Sequence, residues 1–536
     1  MLHGGVRPRR GHFICGLVAG AVAALAVAGI AAASVPAPGD LDRHFARTGK
    51  TTLDIQSYDA ATAVAIDAQH RIVVAGWTTA ATGGDFSGDF VVARYMPDGS
   101  LDPAFGSGGI VRTDFNDRDD KASAMALDDR GRIVVAGTSR GPRGGDYAAL
   151  ARYRPNGDLD ASLGGDGKAV VSLGGFGSMV HAMAIDSEAR IVVAGRRYTY
   201  HDVFNTDDFV VARFNPSGAL DPSFGRDGMA TTDFGQVDIA HAVALDPRGR
   251  IVAAGESEFE TASFVLARYT HNGSLDASFG TGGQAGIKLG GDFYEDYALA
   301  VTVDDQGRVV AAGGGNKTSG DADFVLARYD TSGNLDPSFG TSGTVTTPFS
   351  NYASASAILI DDQQRVVAAG TNTVPGSGGQ FALSRYRADG SLDGSFGARG
   401  KVTTPFGGGN EVQGSGVAMD DRGRIVVVGQ VGESDSDSDF AVARYIGRDQ
   451  EPPDVTVEGR SRYRTRHHGR RAVFRLQASE PVEFECKLDG RSFQACSSPY
   501  ETPRLGLGRH RIKVRATDGS GNVGTDEKRF RIVKRR

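Results

Sequence analysis

The sequence predicts an all-β protein built from seven repeats, because two short phrases recur 55 to 61 residues apart along most of it. One phrase is an apolar run ending in Ala-Arg-Tyr or close to it, followed by a Gly turn and Leu-Asp. The other is an Arg, two β-branched residues, and Ala or Val before Gly. Seven copies of each phrase indicate seven copies of one supersecondary unit. The first phrase has its Arg at Arg94, Arg152, Arg213, Arg268, Arg328, Arg385 and Arg444, and the second at Arg71, Arg132, Arg190, Arg250, Arg308, Arg365 and Arg424.

Each repeat reads as four short strands. In the copy near residue 300, strands are expected at 299–303, 308–313, 324–329 and 344–347, with Pro348 ending the last. The second strand is continuously apolar, which is typical of a strand covered on both faces. Four strands in a unit of this length match one blade of a β-propeller. We therefore expect a β-propeller over residues 39–447.

The two ends of the repeat region predict a closed ring. The first Leu-Asp phrase, residues 41–45, precedes any other strand, and the last Ala-Arg-Tyr, ending at Tyr445, has no Leu-Asp phrase after it. A strand near residues 50–54 would then supply the fourth strand of the last blade. Such sharing leaves no exposed sheet edge, so seven blades closed by an N-terminal strand are expected.

The phrase DFVLARYDTSGNLDPSFG, residues 323–340, resembles the delta-60 repeat of bacterial exported proteins. The resemblance covers about residues 39–447 and implies a β-propeller without implying any chemistry. Departures are mild, since Ser384 replaces the Ala before Arg385 and Leu163 stands where other copies have Phe.

Residues 1–34 have the layout of a secretory signal peptide. Arg7, Arg9 and Arg10 precede an apolar stretch, and small residues near Ala33 offer a cleavage site. An uncleaved membrane anchor is the alternative, because the apolar stretch is long. With the leader removed, no membrane span is expected, and the protein is expected in the medium or the cell envelope.

A second domain is predicted after a linker at 448–453. Residues 454–534 alternate as short strands and resemble a bacterial immunoglobulin-like domain in FECKLDGRSFQAC and RATDGSGNVG, which implies a spacer or adhesive module. Cys486 and Cys496 form an even pair that favours a disulfide in an exported protein. They are symmetric about Arg491, so a short hairpin would place them opposite each other.

The residues that recur once per unit favour a structural role. The Arg of Ala-Arg-Tyr and the Asp of Leu-Asp flank one tight turn and can pair through charge-assisted hydrogen bonds. A residue that is present in every unit most simply does the same task in each. The Asp positions are Asp42, Asp102, Asp160, Asp221, Asp276, Asp336 and Asp393.

Any ligand is expected where loops vary from unit to unit, at the start of the first strands. His181 and His241 stand there in consecutive units, where other units have Thr, Ser or Leu. They read either as polar fillers at the mouth of the central channel or, with neighbouring carboxylates, as ligands of a divalent cation. The acidic candidates on this face are Asp59, Asp120, Asp238, Glu295, Asp296 and Glu411. The alternating Asp435, Asp437 and Asp439 read as a solvated loop, because the other elements of a calcium loop are missing.

The function predicted from the sequence is a secreted, non-enzymatic binding or scaffold protein whose partner is an extracellular or cell-envelope protein or polysaccharide. The alternative is a metal-assisted hydrolase or lyase acting at the channel mouth. Residues 451–536 carry 20 Lys and Arg against 11 Asp and Glu. The run SRYRTRHHGRR, residues 461–471, is either a solvated loop or a grip for an acidic polymer. One Tyr among these cations is weak support for nucleic acid.

Overall fold

The computed structural model of the protein describes residues 37–79, 87–115, 118–141, 144–201, 204–235, 237–259, 261–288, 293–317, 321–350, 352–407, 411–434, 437–448, 452–466, 469–479, 482–518 and 522–535. Regular structure in these ranges is β-strand, as the sequence predicts. The leader predicted at residues 1–34 lies outside the described residues. Within the described ranges, no helix is long and apolar enough to cross a bilayer.

The repeat region forms units of four strands, called units 1 to 7 in chain order. The strands up to unit 2 are β1 (Lys50–Leu53), β2 (Tyr58–Ile66), β3 (Ile72–Thr79), β4 (Gly88–Tyr95), β5 (Ile110–Thr113), β6 (Asp120–Leu127), β7 (Ile133–Arg140), β8 (Asp146–Tyr153) and β9 (Lys168–Val171). Units 3 and 4 comprise β10 (Gly177–Ile185), β11 (Ile191–His201), β12 (Phe204–Phe214), β13 (Met229–Thr232), β14 (Val237–Leu245), β15 (Ile251–Phe259), β16 (Thr261–Tyr269) and β17 (Gln284–Ile287). Units 5 to 7 comprise β18 (Phe293–Val303), β19 (Val309–Lys317), β20 (Ala322–Tyr329), β21 (Thr344–Thr347), β22 (Tyr352–Ile360), β23 (Val366–Val374), β24 (Gly378–Tyr386), β25 (Lys401–Thr404), β26 (Glu411–Met419), β27 (Arg424–Ser434) and β28 (Asp437–Ile446).

Within each unit the strands pair antiparallel in chain order. In unit 2, for example, β6 pairs with β7, β7 with β8 and β8 with β9. The first strands contact one another in sequence from β2 through β6, β10, β14, β18 and β22 to β26, and β26 also contacts β2. These first strands therefore lie innermost, and the fourth strands lie at the outside.

Unit 7 takes its fourth strand from the N-terminal end of the repeat region. Strand β1 pairs antiparallel with β28, with Lys50 opposite Ala443 and Leu53 opposite Phe440. This is the strand pairing that the sequence predicts for residues near 50–54. Upstream, Leu41 forms a bridge with Tyr445.

The hydrophobic core lies between neighbouring units. One cluster joins Val73 and Phe90 of unit 1 to Ile133 and Tyr153 of unit 2, all nearly inaccessible to solvent. The same arrangement joins unit 7 to unit 1, where Val428 and Val442 pack in one cluster with Val74. Because each second strand is covered on both faces, its sequence is apolar at successive positions. A fully buried Val or Phe side chain contributes about 1.5–3 kcal/mol.

Residues 454–534 form two sheets around a separate core. Their strands are β29 (Val455–Gly459), β30 (Arg462–Thr465), β31 (Val473–Ala478), β32 (Val482–Leu488), β33 (Gln494–Cys496), β34 (Tyr500–Glu501), β35 (Gly508–Asp518) and β36 (Val523–Lys534). One sheet has the order β29-β31-β34 and the other β30-β36-β35-β32-β33. Phe474 and Leu476 of the first sheet pack with Ile512 and Phe530 of the second.

Cys486 and Cys496 lie at disulfide distance, with sulfur atoms 2.13 Å apart and Cα atoms 5.8 Å apart. They are diagonal neighbours, because Cys486 lies opposite Gln494 and Cys496 lies opposite Phe484. The expectation that the two cysteines face each other directly is therefore wrong. The turn between β32 and β33 is centred on Gly490, one residue before Arg491, which shifts the register of the hairpin.

Candidate functional site at the centre of the repeat units

Every first strand carries a β-bulge near its middle. In β14, Ala240 lies opposite Gly255 and Ala242 opposite Ala254, so His241 between them has no partner in β15. A bulge of this kind bends the strand and redirects the extra side chain. The bulged residues are Thr62, Ser123, His181, His241, Leu299, Ser356 and Ser415.

The bulges surround a cavity of about 210 Å³, called here the central cavity, which is lined by residues of all seven first strands. Six of the seven bulged residues line it, including His181 and His241. Most of the remaining lining is Ala and Val, so these two imidazoles are its most chemically distinct groups. The sequence puts both histidines at the start of the first strands of consecutive units, whereas the structure has them at equivalent positions near the middle of β10 and β14. The sequence gives no sign of the bulge at which they lie.

The two histidines contact each other edge to face, with ring centroids 5.4 Å apart and ring planes at 62°. Nε2 of His241 lies 3.1 Å from Oε1 of Glu256. Nε2 of His181 is buried and has no hydrogen-bond partner among the described residues. On the neighbouring second strand, Arg196 donates from Nη1 to Oδ2 of Asp207 over 3.2 Å.

Burial lowers the pKa of His181 to about 3, and repulsion from His241 and Arg196 acts in the same direction. His181 is therefore a neutral imidazole at neutral pH. A neutral imidazole with an unused ring nitrogen is the form that accepts a hydrogen bond or binds a metal ion.

The acidic candidates Asp59, Asp120 and Asp238 hold loops in place. Oδ2 of Asp59 accepts the N–H groups of Ile55 at 2.6 Å and Gln56 at 3.0 Å. Oδ2 of Asp120 accepts the N–H of Phe115 at 2.7 Å, and Oδ2 of Asp238 accepts the N–H groups of Phe234 at 2.5 Å and Gly235 at 3.2 Å. The three side chains are inaccessible to solvent, so each ties the segment after a fourth strand to the next unit.

The other acidic candidates differ in exposure. Asp296 is buried, at the position in β18 that corresponds to Asp238 in β14. Glu411 is exposed at the start of β26. For Glu295 the structure describes only the backbone, which lies opposite Asn316.

Burial raises the pKa of these buried carboxyl groups. The pKa of Asp120 is raised to about 6, with burial as the main cause and repulsion from Asp114 and Asp89 as a smaller one. Burial likewise raises the pKa of Asp59 and of Asp238. A negative charge on Asp120 at neutral pH therefore lowers the stability of the folded protein.

In the described ranges, neither His181 nor His241 belongs to a group of three close carboxylate or imidazole ligands. Among the described residues such groups occur elsewhere: His70 with Asp420 and Asp421, Asp54 with Asp59 and Asp439, and Asp89 with Asp114 and Asp120. Asp89 in the last group already pairs with Arg112 at 2.5 Å, and Asp420 in the first pairs with Arg424 at 2.6 Å. The expectation of a solvated loop is wrong for Asp437 and Asp439, which lie in β28, and Asp435 lies outside the described residues. The sequence gives no reason to join Asp439 to Asp59, because the two lie at opposite ends of the repeat region.

The seven recurring Arg residues are used structurally in every unit. Arg268, for example, donates from Nε to Oδ2 of Asp276 over 2.9 Å and from Nη1 to the carbonyl of Thr331 in the next unit over 2.8 Å. All seven units make the Arg–Asp pair, at 2.8–2.9 Å. The structural role predicted for these residues is confirmed.

The recurring Arg of the second phrase has a partner that the sequence reading missed. Arg250 donates from Nε to Oδ2 of Asp246, four residues earlier, over 2.6 Å, and the same contact recurs in each unit at 2.6–2.7 Å. An Asp four residues before every such Arg is the signal that could have identified it.

Each unit has one end at which its first strand begins and its second and third strands are joined. This end is called the variable face. The hairpin formed by the second and third strands differs in length, with strands of 8 residues in unit 1 and 11 in unit 3. The opposite end carries the recurring Arg–Asp turns.

An aromatic and polar group crosses three units on the variable face. The rings of Tyr58 and Trp77 stack at 5.0 Å, and Nζ of Lys121 lies 4.9 Å from the Trp77 ring. Gln430 donates to the hydroxyl of Tyr58 over 3.1 Å. These four residues, called the aromatic rim, come from units 7, 1 and 2. Trp77, Lys121 and Gln430 have no equivalent residue type at the same position in the other units, and Tyr58 has one in Tyr352 of unit 6, so the recurring phrases do not point to them.

The repeats match a β-propeller family. Its description is "Domain of unknown function (DUF5122) beta-propeller", and the matched segments are residues 71–105, 131–163, 190–224, 249–279, 307–339 and 365–396. Each segment begins at the recurring Arg of a second strand or one residue before it, and ends with the Leu-Asp phrase. Unit 7 cannot match in this way, because its phrase is divided between Arg424–Tyr445 and Leu41–Phe45. The match supports a repeat protein of the β-propeller type.

Solved structures with a likeness to this chain have low identity. The extracellular domain of a protein described as a hybrid two component system from B. thetaiotaomicron is 10% identical, with 89% of this chain and 75% of that chain covered and a TM-score of 0.22. The polysaccharide lyase PL25 ulvan lyase is 11% identical, with 74% and 90% covered and a TM-score of 0.33. A GH43_1 enzyme from Xanthomonas citri is 11% identical, with 72% and 95% covered and a TM-score of 0.28. No curated protein sequence matches the chain. These likenesses are too low to assign an activity.

Proposed function

We propose that the chain is a secreted, non-enzymatic binding or scaffold protein. In this proposal a closed seven-bladed β-propeller presents its variable face to an extracellular or cell-envelope protein or polysaccharide. The C-terminal domain serves as an immunoglobulin-like spacer or adhesion module.

Ring closure is supported by three contacts between the two ends of the repeat region, the first within unit 7 and the other two between unit 7 and unit 1. Strand β1 pairs with β28, the innermost strand β26 contacts β2, and Arg444 donates from Nη1 to the carbonyl of Pro97 over 2.7 Å. The last contact is the one that Arg152 makes to Pro216 in the next unit, also over 2.7 Å. Unit 7 therefore meets unit 1 as unit 2 meets unit 3.

The binding role rests on one observation: the polar residues of the two faces have different tasks. The constant Arg and Asp residues are engaged in holding neighbouring units together. The bulged residues at the central cavity and the residues of the aromatic rim instead vary among the units. A rigid scaffold with a varied face is the usual arrangement of a binding protein. The stacked Tyr58 and Trp77, flanked by Lys121 and Gln430, offer a flat aromatic surface with hydrogen-bonding groups beside it.

Export is supported by the leader-like residues 1–34 and by the geometry of the cysteines. A disulfide between Cys486 and Cys496 would persist only in an oxidising compartment. Secretion therefore agrees with both ends of the chain.

Trp77 is the only tryptophan of the chain, so intrinsic fluorescence reports directly on the aromatic rim. Titration with a panel of soluble polysaccharides and envelope proteins should give a saturable change for at least one of them. Tyr58→Ala should weaken that binding at least about tenfold, because it removes the stacked ring. Arg130→Ala, an exposed substitution on the opposite face, should leave it unchanged. If Arg130→Ala abolished binding and Tyr58→Ala left it unchanged, the ligand would bind the other face. That result would contradict the proposal.

A second candidate, a metal-assisted hydrolase or lyase at the mouth of the central cavity, rests on the adjacent His181 and His241. The buried unused Nε2 of His181 and the Glu256 carboxylate beside His241 are suitable ligand types for several divalent metals. Under this candidate, a polysaccharide that binds would also be cleaved. New reducing ends or a falling viscosity in the titration would favour the enzyme over the scaffold.

A further inference from the structure

Arginines occupy paired positions on one face of the larger sheet of the C-terminal domain. Arg531 of β36 lies between Arg462 of β30 and Arg509 of β35, opposite each in the strand register. In the adjacent row, Arg529 of β36 lies opposite Arg511 of β35. These five residues are called the arginine rows.

The arginine rows face solvent. The residues that alternate with them, Tyr463, Ile512, Phe530 and Ile532, are buried in the domain core, so the arginines lie on the outer face. The side chain of Arg529 is 79% exposed and that of Arg511 is 51% exposed. Four of the five arginines line a groove of about 650 Å³.

Little negative charge balances this face. Glu527 lies 3.4 Å from Arg529 and 3.6 Å from Arg511. In the described part of the chain, no carboxylate lies within ion-pair distance of Arg462, Arg509 or Arg531. Asp489 also lines the groove, but its carboxylate accepts the N–H of Arg511 at 2.9 Å and contacts His510 at 3.0 Å.

This arrangement works against the stability of the sheet. Neighbouring strands are about 4.8 Å apart, and like charges directly opposite each other in a sheet are destabilising. A spacer domain has no need of three arginines in one row. The repulsion is relieved if an anion binds across the row.

We propose that the arginine rows bind an acidic polysaccharide that carries carboxylates on successive sugar rings. A guanidinium group matches a carboxylate with two parallel hydrogen bonds, and a row across adjacent strands presents such groups at regular intervals. Single-stranded nucleic acids need exposed aromatic rings for base stacking, whereas Tyr463 and Phe530 beneath the rows are buried. This site is separate from the variable face and does not rest on the function proposed for it.

The structure separates these rows from most of the basic run at residues 461–471. Arg462 belongs to the rows. Arg471 instead pairs with Glu501 at 3.3 Å, and Arg470 lies over the Tyr463 ring at 5.9 Å from its centroid. Membership of the basic run 461–471 therefore does not decide whether an arginine belongs to the arginine rows.

The test uses the full-length secreted protein and polygalacturonate as the probe, with binding measured by calorimetry at two salt concentrations. Arg509→Gln with Arg531→Gln should weaken binding at least about tenfold and reduce its salt dependence. Arg466→Gln with Arg471→Gln removes the same charge from the same domain and should change affinity less than about twofold. Arg509→Lys with Arg531→Lys keeps the charge and should give an intermediate loss, because the forked donor is missing.

Three outcomes would overturn the proposal. Equal loss in the two Gln variants would mean that only net charge matters. Equal affinity for fully methyl-esterified polygalacturonate would mean that carboxylates are not recognised. Tighter binding of double-stranded DNA than of polygalacturonate would assign the surface to nucleic acid. Melting curves of the variants show whether each remains folded.

Discussion

Arg444 donates from Nε to Oδ2 of Asp42 over 2.9 Å although the two residues are 402 positions apart. In the other six units the same pair joins residues eight positions apart, as in Arg268 and Asp276. Arg444 and Asp42 are both nearly inaccessible to solvent. The two ends of the repeat region are thus joined by the contact that closes the turn within every other unit.

If the Arg444–Asp42 pair works as the internal pairs do, its loss should have the same cost. Arg444→Gln is expected to lower the free energy of unfolding by about 3–5 kcal/mol, because it leaves a buried carboxylate without its partner. Arg213→Gln should have a similar effect, because Asp221, like Asp42, pairs with one arginine among the described residues. Arg471→Gln, which breaks an exposed pair with Glu501, should cost about 0–1 kcal/mol.

Double-mutant cycles measured by chemical denaturation check this directly. The coupling energy of Arg444→Gln with Asp42→Asn should equal that of Arg213→Gln with Asp221→Asn. A coupling near zero for the first cycle and a large one for the second would show that the termini are not joined.

Asp120 should make stability depend on pH. Its folded-state pKa of about 6 lies above the ordinary value of 3.8, so the folded protein holds the proton more tightly than the unfolded chain does. The free energy of unfolding therefore falls as pH rises from about 4 to about 6. Asp120→Asn keeps an oxygen for the N–H of Phe115 and removes the buried charge.

We expect Asp120→Asn to be more stable than the wild type at pH 7 and equally stable near pH 4. Denaturation curves in the presence of a chelator, at several pH values, measure the difference. A variant that is less stable than the wild type at pH 7 would mean that the charge of Asp120 is used by the folded protein.

The sequence predicts the pairing of constant residues well, because an Arg and an Asp on either side of one turn lie opposite each other in a hairpin. It also predicts the strand at 344–347, since Pro348 cannot continue the ladder. The first strand of unit 5 is longer than predicted, from Phe293 instead of Leu299. Glu295 and Asp296 precede the predicted strand and are expected on the face that binds a ligand, and only the fold shows that Asp296 is buried.

The candidate site is less accessible to sequence reasoning than the fold. Asp59 and Asp238 are acidic residues near a variable face, but their carboxylates accept N–H groups of the preceding loop. The bulge at His181 leaves no trace in the sequence, because the bulged positions hold Thr, Ser, His and Leu and share no residue type. Glu256, Trp77, Lys121 and Gln430 occur once each at their positions in the repeat, so periodicity cannot identify them.

The histidine pair provides a test of metal binding. His181→Ser with His241→Ser introduces the residue found at the same position in Ser123 and Ser356. If the pair binds a divalent cation, Zn²⁺ or Mn²⁺ should raise the melting temperature of the wild type and not that of the double variant. Metal content of the purified proteins should differ in the same direction.

A matched control removes two carboxylates from the group formed by Asp54, Asp59 and Asp439. Asp54→Asn with Asp439→Asn should keep the response to Zn²⁺ or Mn²⁺. Identical responses of the wild type and the histidine variant to Zn²⁺, Mn²⁺ and Ca²⁺ would leave His181 and His241 as fillers of the cavity.

The cysteines of the C-terminal domain should be oxidised in the secreted protein. Closing the short loop between Cys486 and Cys496 is expected to stabilise the domain by about 2–4 kcal/mol. Replacing both with Ser should therefore lower its unfolding midpoint in urea. Mass spectrometry of freshly secreted protein should show one intramolecular bridge, and two free thiols would contradict the expectation.

Deletion of residues 39–56 tests the closed ring most directly, because it removes both Asp42 and strand β1. The edge of β28 would then be unpaired, and an open sheet edge invites association. Deletion of residues 454–536, which leaves β28 paired with β1, serves as the control. Sedimentation and thermal melting should show aggregation or unfolding for the first deletion and a folded monomer for the second. A monomer with an unchanged melting temperature after deletion of residues 39–56 would contradict the closed seven-bladed ring.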